Sequence, residues 1–312
     1  MIDEVGLSIP VAFQLVRPIM REVLRVGFDP QTAALPEYLR KWHPLGFPME
    51  SFLSGTGVGN SQLPEGLWEL LSLKMYMLFW SLSLYDINVP SERYEMEVKR
   101  LKLRVPEIEA KVALLSSGGG QVYDSQGVSQ TMSKSEVEKL LRQKKAELNK
   151  TMAIMTELSN ERASQESHVK GLRDYMTQET DAYFLEAEQK GASLKAAMQY
   201  LVYPRVLMSP VDAVYCTQFF LNLHRLDTPR FSYLEFCDMF FSTMSPLLYS
   251  TTEREAGFLG YAFNDLWATV NEWSTEPAAF VTNFQKHLGG NGVKYEQFQD
   301  RHKVRGLKLS PF

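Results

Sequence analysis

The 312-residue chain is long enough to bury a substantial core and to form two or three domains. Its 45% apolar and 22% charged residues exclude a collagenous or wholly disordered chain. A formal charge of −4, with an isoelectric point near 5.8, argues against a whole-chain electrostatic grip on nucleic acid.

The opening MIDEVGLSIP is acidic and lacks the basic flank of a signal peptide. IPVAFQLVRPIMREVLRV predicts a helix in which Pro18 is a kink or a restart. Residues 28–64 are dominated by proline and glycine and read as a long surface connection. Leu67 to Ile87 predicts one buried helix, stopped by Asn88 and Pro90. Its most apolar stretch, MYMLFWSLSLY between Lys74 and Asp86, has eleven uncharged residues. A bilayer span needs about 20, so a core helix is expected and no membrane segment.

The next segment carries two heptad runs. The first is Tyr94, Val98, Leu101, Val105, Ile108, Val112 and Leu115. The second is Val137, Leu141, Lys144, Leu148, Thr151, Met155, Leu158, Arg162, Gln165, Val169, Leu172 and Met176. A period of 3.5 residues sustained this long predicts helices packed lengthwise on one another. Between the runs, SSGGGQVYDSQGVSQ cannot continue either helix, so an antiparallel hairpin is the simplest arrangement. Ser91 is the expected cap of the first helix, while Ser133 and Glu136 have capping-box spacing for the second. Pro106 predicts a kink or a second start. At 1.5 Å per residue the second helix reaches about 65 Å and the first about 37 Å. The second is therefore expected to overhang, leaving Met155, Leu158, Val169, Leu172 and Met176 as an apolar stripe for a partner.

From Asp181 the chain is dense in short helices. Thr180 or Asp181 caps a helix towards Tyr203, and Ser209-Pro210 opens VDAVYCTQFFLNLHRL. Thr228-Pro229 precedes FSYLEFCDMFFSTM, Thr252 precedes EREAGFLGYAFNDLWATVNEW, and Thr275-Glu276-Pro277 starts AAFVTNFQKHL, ended by Gly289 and Gly290. Repeated caps and short links fit stacked helix pairs, although no strict repeat is present. The expected fold class is all-α: solenoid-like helical repeats with a projecting antiparallel coiled-coil hairpin. Its expected divisions are a helical segment with a long connection at 1–90, the hairpin at 91–180, and stacked helices at 181–312.

Catalytic signatures are missing from the sequence. GTGVGN, at Gly55–Asn60, is spaced G-x-G-x-G rather than G-x-G-x-x-G, and no strand pattern precedes it. No Gly-Lys dipeptide, G-x-S-x-G elbow or H-E-x-x-H helix occurs. The histidines His43, His168, His224, His287 and His302 form no ligand pair, and neither cysteine belongs to a C-x-x-C motif. Cys216 and Cys237 read as buried reduced thiols, which fits an intracellular compartment. His224 reads as a helix-end residue, and Asp212 and Asp86 as structural carboxylates. No enzyme, cofactor or metal is expected. Lys134, Lys139, Arg142, Lys144, Lys145 and Lys150 are interleaved with Glu136, Glu138 and Glu147, as on a solvated helix face. Near the C-terminus, Arg301, Lys303, Arg305 and Lys308 are candidates for contact with RNA phosphates or an acidic partner.

Two blocks carry a family resemblance. They are FWSLSLYDINVPSERYEMEVKRLK, from Phe79 to Lys102, and YPRVLMSPVDAVYCTQFFLNLHRLDTPRFSYLEFCDMFF, from Tyr203 to Phe241. Both resemble the large scaffold subunit of the THO complex, the THO complex subunit 2 family. LVRPIM at Leu15–Met20 and VKYEQF from Val293 resemble further segments of it. The likeness covers a middle-to-late portion of that family, and the glycine loop from Ser116 to Gln130 departs from its lysine-rich insert. The resemblance implies a non-catalytic nuclear scaffold within the transcription–export assembly, serving messenger-RNA packaging, processing and export. Implied partners are the other THO subunits, especially THO complex subunit 1, and the DEAD-box RNA-dependent ATPase, with messenger RNA met either directly or through them. The alternative is a generic coiled-coil tethering protein unrelated to RNA. An enzyme ranks behind both.

Overall fold

A computed structural model of the chain describes residues 8–26, 63–64, 66–117, 121–123, 129–131, 133–185 and 191–304. The described residues are overwhelmingly helical. They fall into two compact units, one of Met1–Asn88 with Val169–Phe312 and a smaller one of Val89–His168. The segments expected separately at 1–90 and 181–312 thus share one unit, and the smaller unit ends at His168 rather than at residue 180. GTGVGN lies outside the described residues, as does nearly all of the connection at 28–64.

In the larger unit, α1 (Ile9–Val26) runs through Pro18. The single helix expected from Leu67 to Ile87 is instead three: α2 (Leu67–Leu70), α3 (Leu73–Ser81) and α4 (Leu84–Ile87). Leu71 breaks the first junction, adopting an extended backbone and pairing with Phe184 in an isolated antiparallel bridge. Ser72 then restarts the chain by accepting from the Met75 amide at 3.2 Å. At the second junction both the amide and the hydroxyl of Ser83 donate to Asp86 Oδ2 at 2.7 Å. Asp86 therefore caps the start of a short helix rather than ending a long one.

Beyond the smaller unit, a 3₁₀ turn covers Thr180–Ala182, so the helix expected from Thr180 or Asp181 begins later. It is α7 (Ala192–Ala197), entered through Gly191 at φ 80°, and it widens into a π-helical turn at Met198–Val202. It then continues as α8 (Tyr203–Val206) straight through Pro204. Proline has no amide hydrogen, and the wide turn just before it adjusts the ladder where a regular bond would be missing. Ser209 caps α9 (Pro210–Arg225) as its sequence predicts, accepting from the Asp212 amide at 3.0 Å. Ser232, not Thr228, caps α10 (Tyr233–Tyr249). Thr252 and Glu255 form the capping box of α11 (Glu253–Thr275). Pro277 opens α12 (Pro277–Phe280), which passes into a second π-helical turn at Val281–Gln285. A 3₁₀ turn at Leu288–Gly290 follows, where a Cβ on Gly290 would overlap the Phe284 carbonyl. The last helix, α13, is Tyr295–Val304.

Helix α9 lies at the heart of this unit. It is buried nearly all round, through Ala213, Tyr215, Cys216, Phe219, Phe220, Leu223 and His224. Phe220 stacks on Phe236 of α10 at 4.4 Å between centroids, and Phe79 of α3 meets Phe219 edge-on at 5.1 Å. Trp80 is fully buried beside Phe13 of α1 and Phe79. Burying each such ring contributes about 1.5–3 kcal/mol, so these aromatics bind short elements that could not be stable helices alone.

In the smaller unit, α5 (Ser91–Ser116) runs through Pro106 without a break, with Pro90 rather than Ser91 at its cap position. The strands β1 (Gln121–Tyr123) and β2 (Ser129–Thr131) form a short antiparallel ladder where the sequence shows no strand pattern. Helix α6 (Lys134–Gln178) starts at the Ser133–Glu136 capping box and continues past His168 into the larger unit's residues. Every residue of both heptad runs is buried or half-buried, with Leu101, Ile108 and Leu115 the most enclosed on α5. Polar bonds join the two helices, among them Tyr94 to Gln165 at 3.1 Å, Arg162 to Glu95 at 3.1 Å, and Arg104 to Glu147 at 2.5 Å. Their positions fall along α6 as they rise along α5.

Candidate partner-binding surfaces

The densest polar cluster is sealed inside the larger unit. Arg205 of α8 has no solvent exposure, and its Nε donates to Asp212 Oδ1 at 2.9 Å. Its Nη2 donates to the Leu82 carbonyl at 2.7 Å and its Nη1 to the carbonyl of Phe79. The guanidinium lies 3.6 Å over the Tyr215 ring, whose hydroxyl donates to the same Phe79 carbonyl at 2.9 Å. Asp212 also accepts from Arg17 of α1 at 3.0 Å and from the Ser209 hydroxyl at 2.8 Å. Burial pushes the Asp212 carboxyl up, but the Arg205 and Arg17 guanidiniums and Ser209 outweigh it and hold it below its ordinary value. The cluster ties α1, α3, α8 and α9 to one point. Asp212 and Arg205 are occupied within the cluster, which agrees with the structural role read for Asp212, while Nε and Nη2 of Arg17 are buried without a hydrogen-bond partner. The sequence offers no sign of Arg205's role except its place in the Pro-Arg of the second resemblance block.

His224 sits in the last turn of α9, as expected, but it is an enclosed ring. Its Nε2 lies 3.2 Å from the Asn283 carbonyl, with Trp273, Phe284 and His287 centred within 5.6 Å. Burial, reinforced by His287, lowers its pKa to about 4. Cys216 and Cys237 are buried free thiols, and burial pushes Cys216 up to about 12, far from a reactive thiolate.

The five apolar residues expected to be left for a partner divide. Leu172 and Met176, 1% and 2% exposed, belong to the larger unit's own core, so they are not available to a partner. Met155, Leu158 and Val169 are half-buried. The overhang is shorter than expected because α5 bonds to α6 as far along as Gln165, and beyond that point Leu172 and Met176 pack in the core that follows. Of the basic candidates, Arg301 and Lys303 lie on the backbone of α13. Arg305 and Lys308 are outside the described residues.

Two surfaces that the sequence did not single out are open. On α1, Val11, Leu15 and Ile19 are 42%, 58% and 48% exposed at four-residue spacing. In the smaller unit a groove of about 520 Å³ runs between α5 and α6. It is lined by Tyr94, Val98, Lys99 and Lys102 on one side and by Leu158, Ser159, Arg162 and Ala163 on the other. The heptads locate its floor, since Tyr94, Val98, Leu158 and Arg162 are heptad positions. Which edge stays open depends on the pairing of the helices.

Comparison with known proteins covers most of the chain. Residues 68–306 match the Tho2 family model, described as transcription factor/nuclear export subunit protein 2. THO complex subunit 2 of Homo sapiens is 29% identical over 214 residues, which are 69% of this chain and 12% of the relative. The Dasypus novemcinctus protein of that name gives the same figures. The Arabidopsis thaliana one is 27% identical over 225 residues, 71% of this chain and 11% of its own length. The chain thus spans about 12% of the length of the curated relatives it matches. No solved structure gives a significant match.

Proposed function

Because the chain belongs to the Tho2 family, we propose that it is a non-catalytic scaffold segment of a THO complex, supporting messenger-ribonucleoprotein assembly coupled to transcription and nuclear mRNA export. The observation that carries this reading is the family match over residues 68–306, which takes in both the aromatic core and the paired helices. A scaffold needs well-packed elements that present surface, and the larger unit supplies them. Buried charges are paired within the fold at Arg205 and Asp212, and the buried aromatics pack in one core.

In this reading the short helices of the larger unit stack in the manner of an α-solenoid, and α5 and α6 form an antiparallel coiled-coil hairpin. The burial of both heptad runs and the cross-helix bonds support the hairpin. The partners are other THO subunits, THO complex subunit 1 first among them, and the DEAD-box ATPase of the export assembly. The compartment is the nucleus, and RNA contact is indirect or falls to Arg301, Lys303, Arg305 and Lys308. Met155, Leu158 and Val169 are the members of the apolar stripe still placed to meet a partner.

Affinity purification of the tagged chain from nuclear extract, with and without RNase, tests this. Recovery of THO subunits in both conditions is expected. Recovery of cytoskeletal or membrane proteins in their place would return the chain to the generic tethering class.

A further inference from the structure

We propose that the groove between α5 and α6 binds an amphipathic helix of another protein, one that carries carboxylates along one flank. The inference rests on the scaffold reading and names the chemistry of one partner at one face.

The floor of the groove is apolar and incompletely covered. Val98 and Leu158 are half-buried, the Tyr94 ring stands beside them, and Ala163 is exposed. Ser159 and Ala163, four residues apart on α6, are small enough to let a third helix approach closely. From Tyr94 to Lys102 and from Leu158 to Glu166 the lining spans about 12 Å, or two helical turns. That length takes apolar side chains at i, i+3 or i+4, and i+7 of a visiting helix.

The charges on the two edges differ. On the α6 edge Arg162 is already committed, at 2.8 Å to Glu166 and 3.1 Å to Glu95. On the α5 edge Lys99 and Lys102 are exposed, and neither has an ion-pair or hydrogen-bond partner among the described residues. They stand three residues apart, about 4.5 Å along the axis. Carboxylates one turn apart on a visiting helix would meet both ammonium groups while keeping clear of Glu95 and Glu166. RNA suits the groove less well. Its one aromatic ring, Tyr94, has its hydroxyl tied to Gln165, and two carboxylates border the lysines. Two turns make a small contact, so this site works as one of several in an assembly.

The test uses the full 312-residue chain. Three labelled probes are compared by fluorescence anisotropy. One is a synthetic leucine-faced helix of about 15 residues with glutamates on one flank. The second is the same peptide with lysines replacing the glutamates, and the third is a short oligouridylate. The acidic peptide should bind, more tightly at low salt. It should lose at least about tenfold in affinity to Lys99→Glu combined with Lys102→Glu, a change of about 1.4 kcal/mol. Ala163→Arg, or Ser159→Arg should the first variant melt early, should abolish its binding. Three results would each overturn the proposal: equal binding of the lysine peptide, preferential binding of the oligouridylate, or acidic-peptide binding indifferent to the arginine variants. Co-purification of THO subunits by a chain that fails to bind the acidic peptide would sink the groove and leave the scaffold reading standing. The converse result would sink the scaffold reading alone.

Discussion

The hydroxyl of Tyr94, in the first turn of α5, donates to Oε1 of Gln165, deep in the second half of α6, at 3.1 Å. Gln165 is 2% exposed, so the bond is made where water cannot replace it. With Arg162–Glu95 one turn away, it shows that the shorter helix accompanies the longer one almost to the end of the smaller unit. Helix length alone cannot reveal this, because the loop between the helices sets their stagger.

Leu172 and Leu158 should therefore behave differently. Leu172→Glu places a carboxylate in the larger unit's core and should cost about 4 kcal/mol or more, unfolding the chain or lowering its yield sharply. Leu158→Glu, on the floor of an open groove, should cost about 1–2 kcal/mol and keep the native circular dichroism spectrum. Urea titration of both variants checks this. Equal losses would mean that the two positions share one environment.

Arg205 should be among the most sensitive positions in the chain. Arg205→Met removes the guanidinium that serves Asp212 and the carbonyls of Phe79 and Leu82. Arg17 and Ser209 still reach Asp212 and Tyr215 still serves the Phe79 carbonyl, but the Leu82 carbonyl loses its guanidinium donor. The expected cost is about 3–5 kcal/mol, read as a shift in the urea midpoint. A loss below about 1 kcal/mol would show that the cluster adds no net stability, as some buried ion pairs do not.

Trp80→Ala should cost about 3–5 kcal/mol through the cavity left beside Phe13, Tyr76 and Phe79. Thermal unfolding measures the loss. A variant of unchanged stability that no longer co-purifies with a partner would turn this tryptophan from core into interface.

His224 should make stability depend on pH. Its folded pKa is lowered to about 4, so the unfolded chain binds the proton more readily. The stability is fully present above about pH 6.5 and is lost as pH falls towards 4, by up to about 3 kcal/mol. His224→Phe should flatten the urea-midpoint profile across that interval. If the variant keeps the wild-type slope, other groups carry the acid sensitivity.

Features that depend only on neighbours along the chain were legible in the sequence. The heptad spacing of Tyr94–Leu115 and Val137–Met176 picks out the buried sides of α5 and α6, because a helix repeats its face on a fixed period. The caps at Ser133, Ser209 and Thr252 are equally local, since each hydroxyl serves an amide three residues ahead. What the sequence could not reveal are outcomes of distant contact. Leu71 breaks a helix that its neighbours would continue, because its strand-like backbone pairs with Phe184. Arg205 follows Pro204 with no polar partner close by in sequence, and it gains its role only where Phe79, Leu82 and Asp212 converge. Leu172 and Met176 continue the pattern of Leu158, yet they lie in a core while Leu158 lines a groove. Periodicity says which side of a helix avoids water, but only the packed chain decides what covers that side.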